Sequence, residues 1–218
     1  MGSDTSLTAP VEPGRSSKIL GSPLTWFALT GLIIAGLRLG LSGPPPTPRV
    51  PAFGQVPEFS FTDQSGRPFS SQALAGQPWV AEFFFTHCPT ICVELTRAMK
   101  QLDGQLPKGV ALVSITVDPE QDSPEVLRQY IEKNAIDTTR WNFLTGPLHQ
   151  VEDAVVRGFK LPMQKADPNE GQDLMAITHG SRLVLVDGQR QIRGYFEANP
   201  AGLLELRVAA ERVASEQK

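Results

Sequence analysis

At 218 residues and 40% hydrophobic content, the chain has room for one well-cored domain with accessory segments. A formal net charge of −3 with no basic run argues against nucleic acid as a partner. Two cysteines alone do not decide a redox compartment, and the chain carries no internal repeat or long low-complexity tract.

Residues 1–18 are small and polar, punctuated by Gly and Pro, and read as a disordered tail. Residues 19–37 then run without a charge through Trp26, Phe27, Ile33 and Ile34, about the length of one bilayer-spanning helix. The sequence thus predicts a single N-terminal transmembrane anchor over 19–41. A cleaved signal peptide would want a shorter apolar core and a better cleavage site than Leu41-Ser42-Gly43. Arg15 and Lys18 favour a cytoplasmic tail, although Arg38 and Arg49 dilute that bias. The expected setting is a bacterial inner membrane, with the large domain facing the periplasm. The alternative is a mitochondrial inner membrane facing the intermembrane space, but Asp4 and Glu12 do not suit an Arg-rich presequence.

Residues 42–52 hold five prolines and predict a semi-rigid extended spacer. A domain is expected over 53–218, and in it strand and helix patterns alternate. Residues 58–62 alternate apolar and polar, and Gln64-Ser65-Gly66 supplies a turn before Pro68-Phe69. Residues 80–85 and 110–117 read as buried strands. A helix runs from the cysteines to about Leu102, and Ser123-Pro124-Glu125 caps another that reaches about Lys133. A short strand at 141–144 and a helix at 148–159 follow. Two strands straddle Asp187-Gly188, a hairpin signal, and a helix over 200–214 closes the chain. This order predicts an α/β sandwich with a thioredoxin-like core, its site at the ends of the strands.

The chemistry gathers at Thr86-His87-Cys88-Pro89-Thr90-Ile91-Cys92, where a strand gives way to a helix. Pro89 suits the first helical position, so Cys88 falls at the helix N-terminus, where free N–H groups favour a thiolate. Cys92 lies one turn further on, with α-carbons roughly 6 Å apart, within reach of a disulfide or of one shared soft metal ion. Three intervening residues, rather than two, weaken a plain oxidoreductase reading. A structural disulfide, or two buried thiols, is the bland alternative, but a bridge closing so small a loop constrains little of the unfolded chain.

Residues 161–180 are too long for a simple connection and lead to Thr178-His179-Gly180 just before a strand. Two thiolates with one imidazole suit copper, Cu(I) through sulfur and Cu(II) with nitrogen added. Zinc competes by ligand type, yet a closed zinc site wants a fourth ligand. Taken alone, His179 reads first as a surface or hydrogen-bonded histidine. His87 reads as a turn residue, His149 as a helix-surface residue, and Met175 as a core or loop methionine.

The cysteine block, then Ser114-Ile115-Thr116-Val117-Asp118-Pro119-Glu120 with Asp122-Ser123-Pro124-Glu125, then Trp141-Asn142-Phe143-Leu144-Thr145-Gly146, and finally Thr178-His179-Gly180, resemble the Sco/SenC family in order and spacing. The resemblance runs from about Phe53 to the C-terminus and includes the single anchor. It implies a thioredoxin-like fold and one copper held by Cys88, Cys92 and His179, with Asp118 supporting the ligand shell. It implies assistance in assembling the CuA centre of cytochrome c oxidase subunit II, by copper donation, thiol reduction or both. A periplasmic copper donor and a thiol reductant would be further partners, and the protein would be a metallochaperone rather than an enzyme. Val93 and Gly180 depart from the family pattern, where Pro and Ser are frequent, and bear on loop shape more than on ligands. The competing reading is a membrane-tethered thiol–disulfide oxidoreductase, with Cys88 attacking and Cys92 resolving. A peroxide-reducing enzyme of the same fold would need a catalytic pocket that the sequence does not assign.

Overall fold

The computed structural model describes residues 23–41, 50–88, 91–163 and 182–216. The predicted tail, most of the spacer, and Met175 and His179 lie outside the described residues. The chain divides into two compact units, Met1–Pro48 and Arg49–Lys218.

In the first unit, α1 covers Pro23–Leu41. Trp26, Phe27, Leu29, Leu32, Ile33 and Ile34 are all exposed along it, so it presents apolar side chains without a core of its own to bury them. Arg38 interrupts the run and leaves residues 23–37 uncharged. That stretch makes roughly 22 Å of helix, less than a hydrocarbon core of about 30 Å. Among the described residues no helix is long and apolar enough to cross a membrane.

The second unit is built on one mixed sheet. Its strands are β1 (Gly54–Gln55), β2 (Ser60–Asp63), β3 (Pro68–Ser70), β4 (Trp79–Phe84), β5 (Ala111–Thr116), β6 (Trp141–Thr145), β7 (Arg182–Val186) and β8 (Gln191–Glu197). They lie in the order β1-β8-β7-β4-β5-β6-β2-β3. The central β4, β5 and β6 are parallel, and the flanking pairs are antiparallel. Helices α2 (Ile91–Asp103) and α3 (Pro124–Lys133) make the two parallel crossovers. Both connections step the same way across the sheet, so right-handed crossing puts both helices on one face. The carboxy-terminal α5 (Pro200–Glu216) packs on β7 and β8 and touches α2.

Alternation along β4 explains why every one of its residues is buried. Trp79 and Phe83 turn to one face and meet Phe159, with ring centroids 5.8 and 4.8 Å apart. Phe84 turns to the other face and meets Tyr130 and Phe143, each at 5.5 Å. The helix predicted over 148–159 is α4 (Leu148–Asp153) followed by a π-helical turn, Ala154–Gly158. Such a turn widens the coil by one residue, which a regular 3.6-residue pattern does not reveal. Gly158 ends it against Pro57, where an added Cβ would lie 3.0 Å from Cδ.

Two further features depart from the simple pattern. The hairpin at Asp187-Gly188 has a three-residue loop, closed by Asp187 N–H to Gln191 O and Arg190 N–H to Asp187 O, both 2.9 Å. Arg190 takes the left-handed conformation, φ 63°, and Gly188 serves close approach instead, because a Cβ there would sit 2.5 Å from the Gly76 carbonyl carbon. The globular unit also reaches back into the proline-rich stretch. Arg193, buried between Asp187 (2.9 Å) and Glu216 (2.5 Å), donates to the Val50 carbonyl. That one guanidinium ties the first residues of the domain to its hairpin and last helix.

The α2/α3 face carries an unusual core residue. Glu82 is fully buried at the middle of β4, accepts one hydrogen bond from Ser114 Oγ (2.5 Å), and has no partner for Oε2 among the described residues. Ser114 in turn accepts from the Trp141 indole at 2.7 Å. Burial pushes the Glu82 carboxyl from its ordinary 4.5 up to about 7, against the Ser114 bond that favours the anion. Between those values the folded chain holds a proton that the unfolded chain releases, so stability falls as pH rises through that window. The shift corresponds to about 3 kcal/mol in full. Chemical denaturation at pH 5 and pH 8 should show the native protein losing about 2 to 3 kcal/mol across the interval from this group, and Glu82→Gln should abolish that loss. An unchanged pH slope in the variant would mean that Glu82 ionises as freely in the fold as out of it.

Candidate metal centre

The parallel ladder between β4 and β5 closes with Val117 N–H donating to Phe84 O at 2.9 Å. Beyond it the chain turns at Thr86 and His87, and Cys88 N–H donates to Phe85 O at 3.4 Å. Cys88 lies three residues before Ile91, where the described α2 begins, and Cys92 stands in the first described turn of α2. The Cys92 N–H points at Cys88 Sγ, 3.4 Å away. A sulfur thus takes the place of the oxygen that usually caps a helix. No disulfide joins the two cysteines.

Both sulfur-bearing residues are withdrawn from water, Cys88 to 6% and Cys92 to 3% exposure. Burial pushes the Cys92 thiol well above its ordinary range, and the bond with Cys88 and the Glu82 carboxyl push the same way. The helix-terminus argument for an easily formed thiolate at Cys88 therefore does not extend to Cys92. A buried thiol keeps its proton until something replaces it, either a second sulfur or a soft cation that coordinates the thiolate.

His87 occupies the turn as the sequence indicates. Its ring lies against Phe85 with centroids 4.9 Å apart, and Nε2 is 3.4 Å from Asp118 Oδ2. Asp118, at the end of β5, is partly buried. Burial pushes its carboxyl up, the facing His87 opposes that shift, and nearby Asp122 adds to it. The turn thus brings Asp118 to His87, beside Cys88. His149 is exposed on α4, as read from the sequence. Among the described residues no cluster of three or more His, Cys, Asp or Glu can hold a metal ion; His179, the third donor implied by the family resemblance, lies outside them.

Sequence reasoning overlooked the buried carboxylate of Asp122. It is fully buried and accepts from Thr86 N–H (3.0 Å), Thr86 Oγ (2.5 Å) and Thr116 Oγ (2.5 Å). Thr116 Oγ also accepts from Asp118 N–H at 3.1 Å. Asp122 precedes Ser123, whose hydroxyl caps α3 by accepting from Val126 N–H at 3.4 Å. The only hint was a threonine just past β4 and another at the end of β5, with an acid in the turn after β5.

The SCO1/SenC family profile matches residues 51–207. A Stutzerimonas stutzeri protein named for copper binding is 33% identical over 149 residues, 66% of this chain and 69% of the relative. The crystal structure of a SCO1/SenC family lipoprotein from Bacillus anthracis superimposes with a TM-score of 0.66 at 30% identity, covering 77% of this chain and 99% of that one. The structure of BsSco, described with a disulfide switch and as a member of the Sco family of cytochrome c oxidase assembly proteins, superimposes with a TM-score of 0.64 at 24% identity, covering 76% and 96%. Four sequence blocks, a mixed sheet with its two cysteines at the end of the central strand, and a profile spanning most of the chain lead to one assignment: the protein belongs to the SCO1/SenC family.

Proposed function

We propose that this protein is a membrane-anchored copper chaperone that binds one copper through Cys88, Cys92 and His179 and helps to assemble the CuA centre of cytochrome c oxidase subunit II. The observation that carries the reading is the sulfur pair, buried four residues apart in the chain, with Cys92 N–H directed at Cys88 Sγ. Two soft donors in a water-poor setting suit copper better than any hard cation. Family membership, the copper-binding relative and the assembly role printed for the Sco family all favour the same metal and task.

In this reading the reduced pair takes copper from a periplasmic donor, and each thiol gives up its proton as its sulfur coordinates. His179 closes the site. The acceptor's own cysteines then displace the ligands one at a time, so transfer never frees the ion. Asp118 supports the site from the β5 end through its approach to His87. Oxidation of Cys88 and Cys92 to a disulfide removes both thiolates and with them tight copper binding, which makes metal load depend on a thiol reductant. The segment from residue 19 through α1 anchors the domain to the bacterial inner membrane, and the proline-rich stretch spaces it into the periplasm. Exposed apolar side chains on α1 fit a lipid-facing role.

The second reading, a membrane-tethered thiol–disulfide oxidoreductase without an essential copper role, is favoured by the closeness of the same two sulfurs. Metal analysis of anaerobically reduced protein separates the two. About one copper per chain, passed on to a purified subunit II fragment, is the expected result. Metal-free protein that catalytically reduces a disulfide substrate would overturn the chaperone reading.

Replacing His179 by Ala should weaken copper retention at least about tenfold, since even outer partners of metal ligands cost that much, while the melting temperature of the apoprotein holds. An unchanged affinity and visible spectrum would remove His179 from the site. Deleting residues 1–48 should move the protein from the alkali-washed membrane fraction to the soluble fraction. Retention of the shortened chain on membranes would refute the anchor.

A further inference from the structure

The strand ladder ends before the cysteine turn begins, and one side chain takes over from it. After Val117 N–H has paired with Phe84 O, the next inward donors on the β4 side are the main chain and hydroxyl of Thr86. Both go to Asp122, at 3.0 and 2.5 Å, and Thr116 Oγ at the end of β5 goes to the same carboxylate at 2.5 Å. A carboxylate is acceptor-only, and three donors from two strand ends match what it needs when buried. The turn that carries Asp122 is itself closed by Gln121 and Asp122 N–H donating to Asp118 O, at 3.1 and 2.9 Å.

Holding the sheet together does not require this arrangement, since main-chain bonds already pair β4 with β5 along Trp79–Phe84. What Asp122 fixes lies outside the ladder. It is Thr86, two residues before Cys88, and the Cys88 sulfur in turn faces the N–H of Cys92 in the first described turn of α2.

We propose that Asp122 is the positioning residue of the thiol pair. Through Thr86 it sets where Cys88 Sγ stands against the N-terminus of α2, and it thereby tunes both the copper affinity and the disulfide potential of the pair. The copper half of this inference rests on the reading under Proposed function, whereas the disulfide half does not.

The test uses the full chain with Asp122→Asn, Thr86→Val and Thr86→Ser. The carboxamide loses one acceptor, valine loses the hydroxyl bond, and serine keeps both the hydroxyl and the N–H. For each protein, copper affinity is measured by competition with a chelator and the Cu(II)–thiolate band is recorded. The thiol–disulfide equilibrium is measured in glutathione buffers, and thermal stability alongside.

Asp122→Asn and Thr86→Val should weaken copper about tenfold or more, alter the band and shift the glutathione equilibrium constant several-fold, while Thr86→Ser stays within about twofold of the native protein. Asp122→Asn or Thr86→Val with native affinity, spectrum and equilibrium constant would overturn the proposal, even if the melting temperature dropped. Should Asp122→Asn not fold, the contrast between valine and serine at residue 86 decides alone. Native protein that takes no copper would refute the chaperone reading, and the glutathione equilibrium would then decide for or against Asp122.

Discussion

Two sulfurs are kept out of water at the one place where the central strand stops and a helix starts, and most of the domain's polar architecture answers to that placement. β4 is buried on both faces, so nothing at its end can carry a well-hydrated charge cheaply. Cys92 shows the consequence, its thiol pushed up chiefly by loss of water. The helix N-terminus offers donors, but at Cys92 desolvation outweighs any such help. Cys92 thus holds its proton until a soft cation or a second sulfur takes its place.

The two faces of the sheet are unequal in a way that follows from the site. Where Phe159 packs on Trp79 and Phe83, the core is made of aromatic edges and apolar surface. On the α2/α3 face the same strand contributes Glu82, bonded through Ser114 to Trp141, and α2 contributes Thr96, which shares a 2.7 Å hydrogen bond with Tyr130. Burial raises the Tyr130 hydroxyl to about 12, with Glu82 and both cysteines adding to the rise after its Thr96 bond is counted. Negative charge on any one of these groups works against charge on the others. Burial therefore favours the protonated form of Glu82, Cys92 and Tyr130 alike, and Glu82 costs stability at neutral pH.

Much of this was legible in the residues. A largely apolar, aromatic run marked β4 as doubly buried, and the Cys88–Cys92 stretch marked where strand gives way to helix. Asp187-Gly188 marked a hairpin, though its loop proved one residue longer than the dipeptide suggests. What stayed hidden depends on tertiary partners. β1 is two residues long and exists by pairing with β8, across more than a hundred residues of chain. β2 and β3 join the sheet beyond β6, a position fixed by pairing Thr62 with Thr145 and not by any local pattern. The π-helical turn after α4 reads locally as ordinary helix. At the site, the sulfur pair was legible from type and spacing, His179 came from the family resemblance, and Asp122 could not be told from Asp118 or Glu120 because periodicity does not extend through a turn.

The division of labour within that turn follows from exposure. Asp118 and Asp122 are four residues apart and joined by a main-chain bond, yet one stands partly in water facing His87 and the other is sealed under three donors. An exposed ion pair is worth little and exchanges readily with solvent or an approaching partner. A buried carboxylate with all its donors in place is costly to disturb, since breaking one bond strands both the charge and the donor. The same turn also begins α3 through the Ser123 cap. Thr86, the end of β5 and the start of α3 are thus tied to one turn by Asp122 and the Ser123 cap, and the backbone that leads to Cys88 leaves that turn at Thr86. The interior side of the cysteine turn is thus held by buried hydrogen bonds, whereas its His87 and Asp118 side stands partly in water.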